Sequence, residues 1–107
     1  LKTTTGGTIV KLETINEIIP ENYKLFQNFP NPFNSATKIK IELPEKNYVS
    51  LIIYDILGKE IIKLIDTELK SGKYETNWNA DNLNSGIYFI VLLTENFTAT
   101  QKAILLK

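Results

Sequence analysis

The side chains best suited to acid–base chemistry are three aspartates (Asp55, Asp66, Asp81) and nine glutamates, because the chain contains no His and no Cys. A glycosidase would need two such carboxyls facing each other across a sugar-sized gap. Here they fall mostly on outward strand positions or in turns, and no long insertion between strands could wall a cleft. Without imidazole or thiolate, the common zinc sites, a Cys nucleophile and most serine hydrolases are excluded. Asp81-Asn82-Leu83-Asn84-Ser85-Gly86 has the outline of a calcium loop, but Leu83 and Leu92 occupy its third and twelfth positions, where oxygen ligands are required. Asn96-Phe97-Thr98 has the form of a glycosylation sequon, meaningful only in a eukaryotic secretory route. Trp78, the lone tryptophan, could stack on a sugar only if exposed, and its alternation with Tyr74 assigns it to the core. The residues therefore point to a domain with no catalytic group, no metal and no cofactor.

The elements that carry these residues belong to one modest domain of 107 residues, 43% apolar and 22% charged. Acidic and basic side chains balance at 12 each, all the basic ones being Lys, and they alternate along the chain, so no basic stripe offers itself to nucleic acid. No window approaches the ~20 apolar residues of a membrane-spanning helix. With no Met at all, the chain is expected to be a piece of a longer precursor or a trimmed one. Freedom from Cys suits an oxidising compartment and a cytosol equally.

Turn clusters punctuate the chain at Pro30-Asn31-Pro32, Pro44 to Asn47, Leu57-Gly58, Lys70-Ser71-Gly72, Asn82 to Gly86 and Thr94 to Asn96. The runs between them are short and rich in Ile, Val, Tyr, Phe and Thr, which favour strands. Residues 37–43 alternate, with Ile39, Ile41 and Leu43 on one face and Lys38, Lys40 and Glu42 on the other, and residues 73–78 do the same with Tyr74, Thr76 and Trp78. Residues 48–54 and 86–93 are apolar on both faces and read as central strands. Residues 59–65 and 97–106 complete the set, the last expected on an edge. No helical crossover intervenes, so an antiparallel sandwich of two sheets is predicted. Residues 1–20 have no clear period up to Pro20 and read as a linker or the end of a preceding domain. Gly58, Gly72 and Gly86 read as turn positions needing positive φ or close backbone approach.

In Leu25 to Asn34, Pro30 and Pro32 rule out a ladder strand and predict a stiff, irregular edge with its flanking aromatics pinned to the core. This segment opens a series of blocks: Pro30-Asn31-Pro32-Phe33, then Val49 to Gly58 (VSLIIYDILG), Gly72 to Trp78 (GKYETNW), Gly86 to Phe89 (GIYF) and the tail Lys102 to Lys107. In that order and spacing the chain resembles the type A C-terminal sorting domains of type IX secretion substrates, from about Pro20 to Lys107. Asn34-Ser35-Ala36, where many relatives carry a further Pro, and Ala103, where a larger apolar residue is common, depart from the pattern. Immunoglobulin-like domains of flagellar hook-capping proteins are similar in the Gly-x-Tyr-x-x-x-Trp strand.

The resemblance implies an all-β, immunoglobulin-like sandwich of about seven strands over residues 21–107. It implies a non-catalytic label that directs an upstream carrier, with a hydrolase among the candidates, from the periplasm across the outer membrane to the surface or the medium. The implied partners are the outer-membrane type IX translocon and a surface sortase-like protease that removes the label and can join the carrier to lipopolysaccharide. Candidate recognition residues are Pro30, Asn31, Pro32, Phe33, Gly86, Tyr88, Lys102 and Lys107. The prolines either close the sandwich edge or present a stiff shape to a receptor, and the two lysines, solvated charges in the ordinary case, flank the terminal strand. A second reading stays open, that of a β-sandwich accessory or carbohydrate-binding module of an extracellular enzyme.

Overall fold

Alternation of apolar and polar residues decides how the chain turns its faces. In β3 (Ala36–Leu43), Thr37, Ile39, Ile41 and Leu43 are buried while Ala36, Lys38 and Lys40 stand in solvent. β6 (Gly72–Asn79) buries Tyr74, Thr76 and Trp78 in the same rhythm and pairs with β3 along its whole length, antiparallel, from Ala36–Asn79 to Leu43–Gly72. The computed structural model describes residues 9–13 and 18–107. It adds β1 (Ile9–Glu13) beside β6 and the two-residue β2 (Lys24–Leu25) beside β3, so the first sheet runs β1-β6-β3-β2. Within the span read as a linker, therefore, the Ile9–Glu13 backbone pairs with β6, whereas residues 1–8 and 14–17 lie outside the described residues.

The second sheet contains β4 (Asn47–Asp55), β5 (Glu60–Leu69), β7 (Gly86–Leu93) and β8 (Thr98–Leu105) in the order β5-β4-β7-β8, all antiparallel. β4 and β7 occupy its interior, as apolar residues on both faces require, and β8 lies at an edge. β5 runs four residues past the expected end at Ile65. Of two register shifts against β4, the one between Leu51 and Ile52 skips Leu64 and lets Leu64 and Ile65 both be buried in succession, and nothing breaks the strand before Lys70-Ser71-Gly72. With β2-β3-β6 facing β5-β4-β7-β8, the arrangement is the immunoglobulin-like sandwich expected, drawn with eight strands in place of about seven.

Large rings fill the space between the sheets. Trp78 is 1% exposed, with Phe33 at 5.0 Å on one side and Tyr88, edge-on, at 5.7 Å on the other. Each sheet also ends a loop with the same device. The Tyr74 hydroxyl donates to the Lys70 carbonyl at 2.8 Å and the Tyr88 hydroxyl to the Asn84 carbonyl at 2.7 Å, four residues upstream in both cases. The sequences match: Lys70-Ser71-Gly72-Lys73-Tyr74 and Asn84-Ser85-Gly86-Ile87-Tyr88. Gly72 sits at φ 148°, a conformation that side-chain-bearing residues seldom adopt, which explains a glycine two positions before the tyrosine. Burial pushes the Tyr74 phenol above its ordinary pKa, only partly opposed by the bond to Lys70, so the hydroxyl stays protonated and donating.

Trp78→Ala should cost about 3–5 kcal/mol of the ~5–15 typical of a domain this size. Urea titration followed by tyrosine fluorescence measures it, and a midpoint equal to the parent's would show that this ring is not the centre of the core.

Candidate functional site

Two prolines deprive residues 30 and 32 of backbone donors, so the segment from Gln27 to Phe33 cannot pair as an ordinary strand. It bonds instead through side chains. Asn28, fully buried, donates to the Pro30 carbonyl at 3.1 Å and to Thr37 Oγ1 at 3.0 Å, and Thr37 donates to the same carbonyl at 2.8 Å. This short network fixes the bend at Pro30 from within and leaves no buried polar side-chain atom unpaired among the described residues.

The far side of the segment lies along the outer edge of β8. The Asn31 side chain accepts the Ile104 N–H at 2.9 Å and donates to the Lys102 carbonyl at 3.4 Å, and Gln27 donates to that carbonyl at 2.8 Å. Phe33 then takes over with its main chain, donating to the Ile104 carbonyl and accepting the Leu106 N–H, both at 2.9 Å. Asn31 thus stands in for a strand residue, with its amide supplying the acceptor and donor that a neighbouring backbone would supply. Two residues further on, Phe33 makes a parallel bridge to Leu105 and drops its ring onto Trp78. Further back, Gln101 of β8 donates to the Leu25 carbonyl of β2 at 3.0 Å, tying the two sheets together at this edge.

The expected site residues therefore separate by role. Asn31, Phe33, Gly86, Tyr88 and the β8 end meet in one corner: Gly86 pairs with Leu105, Tyr88 with Ala103, and both aromatics flank Trp78. Phe33 and Tyr88 are buried and offer no surface to a partner. Pro30 and Pro32 are exposed on the outside of the strap. Lys102 directs its side chain to solvent while its carbonyl takes both amides. Lys107 bends onto the loop before β7, where its N–H donates to Ser85 Oγ at 2.9 Å and its ammonium donates to the Asp81 carbonyl.

One aromatic departs from expectation. Phe33 is pinned to the core, but Phe29 is 79% exposed, because its backbone pairs with Lys38 and its ring is turned to the outer face of the first sheet. Sequence reasoning also missed Gln27, Asn28 and Gln101. The signal was present in part, since amides at 27, 28 and 31 are numerous for a segment meant to enter an apolar core, and a Pro-broken edge must find side-chain partners somewhere.

At the opposite end of the sandwich a second polar cluster ties the entry of the domain to two turns. Asn47, buried, donates to the Tyr23 hydroxyl at 2.8 Å and to Asn96 Oδ1 at 3.1 Å. Tyr23 in turn donates to Glu45 at 2.8 Å and stacks on Phe97 with ring centroids 5.1 Å apart. The sequon asparagine is thus part of this cluster.

A family model described as secretion system C-terminal sorting domain matches residues 27–106. Among solved structures the chain is similar to part of PorZ, described as an essential bacterial surface component of the type-IX secretion system of Porphyromonas gingivalis. The TM-score is 0.52 with 17% identity, over 81% of this chain and 12% of that one. At that identity the likeness concerns the fold alone, and the chain spans only a small part of PorZ's length. No curated protein matches the chain.

Asn31→Ala leaves Ile104 N–H without its acceptor and should cost about 1 kcal/mol. Amide exchange at Ile104 should quicken relative to Ala103, whose backbone lies in the ladder with Tyr88. Unchanged protection at Ile104 would mean that the strap does not seal β8.

Proposed function

The chain belongs to the family of secretion system C-terminal sorting domains and is a sorting signal for type IX secretion, and from this we propose that the export machinery reads it as a folded sandwich, with the strap and the β8 end as one composite signal. The observation that carries this reading is the Asn31–Ile104 bond, which joins family blocks 73 residues apart. A linear tag would need no such closure. A folded label does, because an unsealed strand edge would pair with whatever strand it met during passage through the periplasm.

Export by this route leads through the periplasm to the cell surface or the medium. Our proposal extends to the specific partners: an outer-membrane type IX translocon that receives the domain, and a surface protease that afterwards releases the carrier and attaches it. In this reading the carrier, for which a hydrolase is one candidate, precedes the domain. The domain itself would catalyse nothing. Its carboxylates support this, since Asp55 and Asp66 are engaged in local hydrogen bonds to the β4–β5 turn and to Tyr48 and Ser50. The carbohydrate-module reading is weakened by Trp78, which is too deeply buried to serve as a stacking platform.

A fluorescent carrier bearing a periplasmic signal peptide and residues 1–107 should reach the surface of a type IX-competent host and stay periplasmic when the translocon is deleted. Equal display in both hosts would defeat the proposal. Lys102→Ala with Lys107→Ala should lower export while changing stability by no more than about 1 kcal/mol, the loss being that of the Lys107 bond to the Asp81 carbonyl. If that double variant is exported like the parent, the lysines are not read.

A further inference from the structure

Three loops and the chain end meet at one pole of the sandwich. The pairs Ala36–Asn79, Asp55–Tyr88 and Gly86–Leu105 bring together the turn before β3, the β4–β5 turn, the loop from Ala80 to Ser85 and the residues after β8. Ala80 N–H donates to the Ser35 carbonyl, and Lys107 N–H to Ser85, so these loops are held to one another.

The β4–β5 turn at this pole is tightly built. One carboxylate oxygen of Asp55 accepts the N–H groups of Leu57 and Lys59, each at 2.9 Å. The main chain adds Asp55 N–H to the Lys59 carbonyl at 2.9 Å and Gly58 N–H to the Asp55 carbonyl at 3.0 Å. Gly58, at φ 85°, permits the reversal. Such a turn ordinarily displays Asn, Asp, Ser or Gly. This one displays Ile56 and Leu57, 65% and 90% exposed, and Leu57 is the most exposed large apolar side chain among the described residues. Single exposed aliphatics are common and mean little. Two adjacent ones, on a turn held by four hydrogen bonds, form a convex apolar finger. Exposed Leu106 follows β8, two strands from β4, on the order of 10 Å away at the usual strand spacing.

We propose that Ile56 and Leu57 are the anchor by which the folded domain docks into an apolar pocket of a protein of the export machinery. The inference rests on the sorting function and names the contact that performs it. A protein pocket suits the finger on three grounds. The finger is already ordered, so docking carries little conformational cost. The charged side chains of these loops, Lys59 and Lys107 against Asp55, Glu60 and Asp81, leave no cationic surplus for an anionic bilayer. Two aliphatic side chains also fall far short of the roughly 800 Å² per partner of a stable dimer, which argues against a second copy of the chain.

The test uses the full chain fused to a fluorescent carrier in a type IX-competent host. Ile56→Asn with Leu57→Asn should melt within about 2 °C of the parent, since both side chains already stand in solvent. Its surface display should fall at least tenfold, with carrier accumulating in the periplasm. Ile56→Leu with Leu57→Ile should restore display, and Ile18→Asn with Ile19→Asn, another adjacent pair of exposed aliphatics, should leave it unchanged. Asp55→Ala, which keeps the side chains but loosens the turn, should reduce display in part. If the parent depends on the translocon and the Ile56→Asn, Leu57→Asn variant is still displayed equally, the anchor is refuted and the sorting function stands. If the parent is displayed without the translocon, both fall. Co-sedimentation of the parent, but not the Asn variant, with vesicles of phosphatidylcholine and phosphatidylglycerol would replace the protein pocket with a bilayer.

Discussion

The structure depends on how one strand edge is closed. β8 is the last strand of its sheet, and without a neighbour its outward N–H and C=O groups would be left to water or to another chain. The strap from Gln27 to Phe33 occupies that edge with two side-chain amides and one main-chain residue. Prolines ordinarily weaken such a seal because they remove donors. They do the opposite here, because Asn31 and Phe33, on either side of Pro32, each turn their hydrogen-bonding groups toward β8. The same move brings Phe33 under Trp78. Edge closure and core packing are therefore a single event, and loosening one loosens the other.

The two Ser-Gly-x-Tyr loops repeat this economy of means on a smaller scale. Each tyrosine puts its ring in the core and its hydroxyl on the loop four residues upstream, so a buried aromatic also fixes the entry to its strand. The Tyr88 loop matters more to the site, since it carries Asp81 and Ser85, on which Lys107 rests. The loop is thus fixed from within by the buried Tyr88 ring, while the bonds of Lys107 to it and of Asp55 within the β4–β5 turn are made at the surface.

Much of the fold was legible. β3 and β6 alternate strictly, and their inward residues are the ones buried; Trp78 follows from the period alone. β4 and β7 could be placed centrally because both their faces are apolar. What was not legible depended on pairing between distant segments. Two residues of β2 carry no periodic signal. The extension of β5 depends on register shifts that depend on β4. Phe29 and Phe33 look equivalent around the prolines, yet one pairs with Lys38 and faces outward while the other reaches Leu105 and faces in. The Asn31 bond to β8 could not be found locally, because its partner lies 73 residues away.

This division explains why the expected recognition residues separate into those that support a surface and those that face outward. Blocks that stand out in a sequence combine residues that build a surface with residues that form it. Phe33, Tyr88 and Gly86 build: they are buried, or constrained by backbone geometry and paired with β8. Asn31 also builds, through a side chain that performs a backbone's task. Among the residues left facing outward from the same blocks are Pro30, Pro32, Ile56, Leu57, Lys102 and Lys107, which can contact another protein without unfolding the domain. A sorting domain must serve carriers of any chemistry, so its readable surface cannot borrow from the carrier. Rigid side chains at the pole containing the end of β8, braced by the interior, meet that requirement.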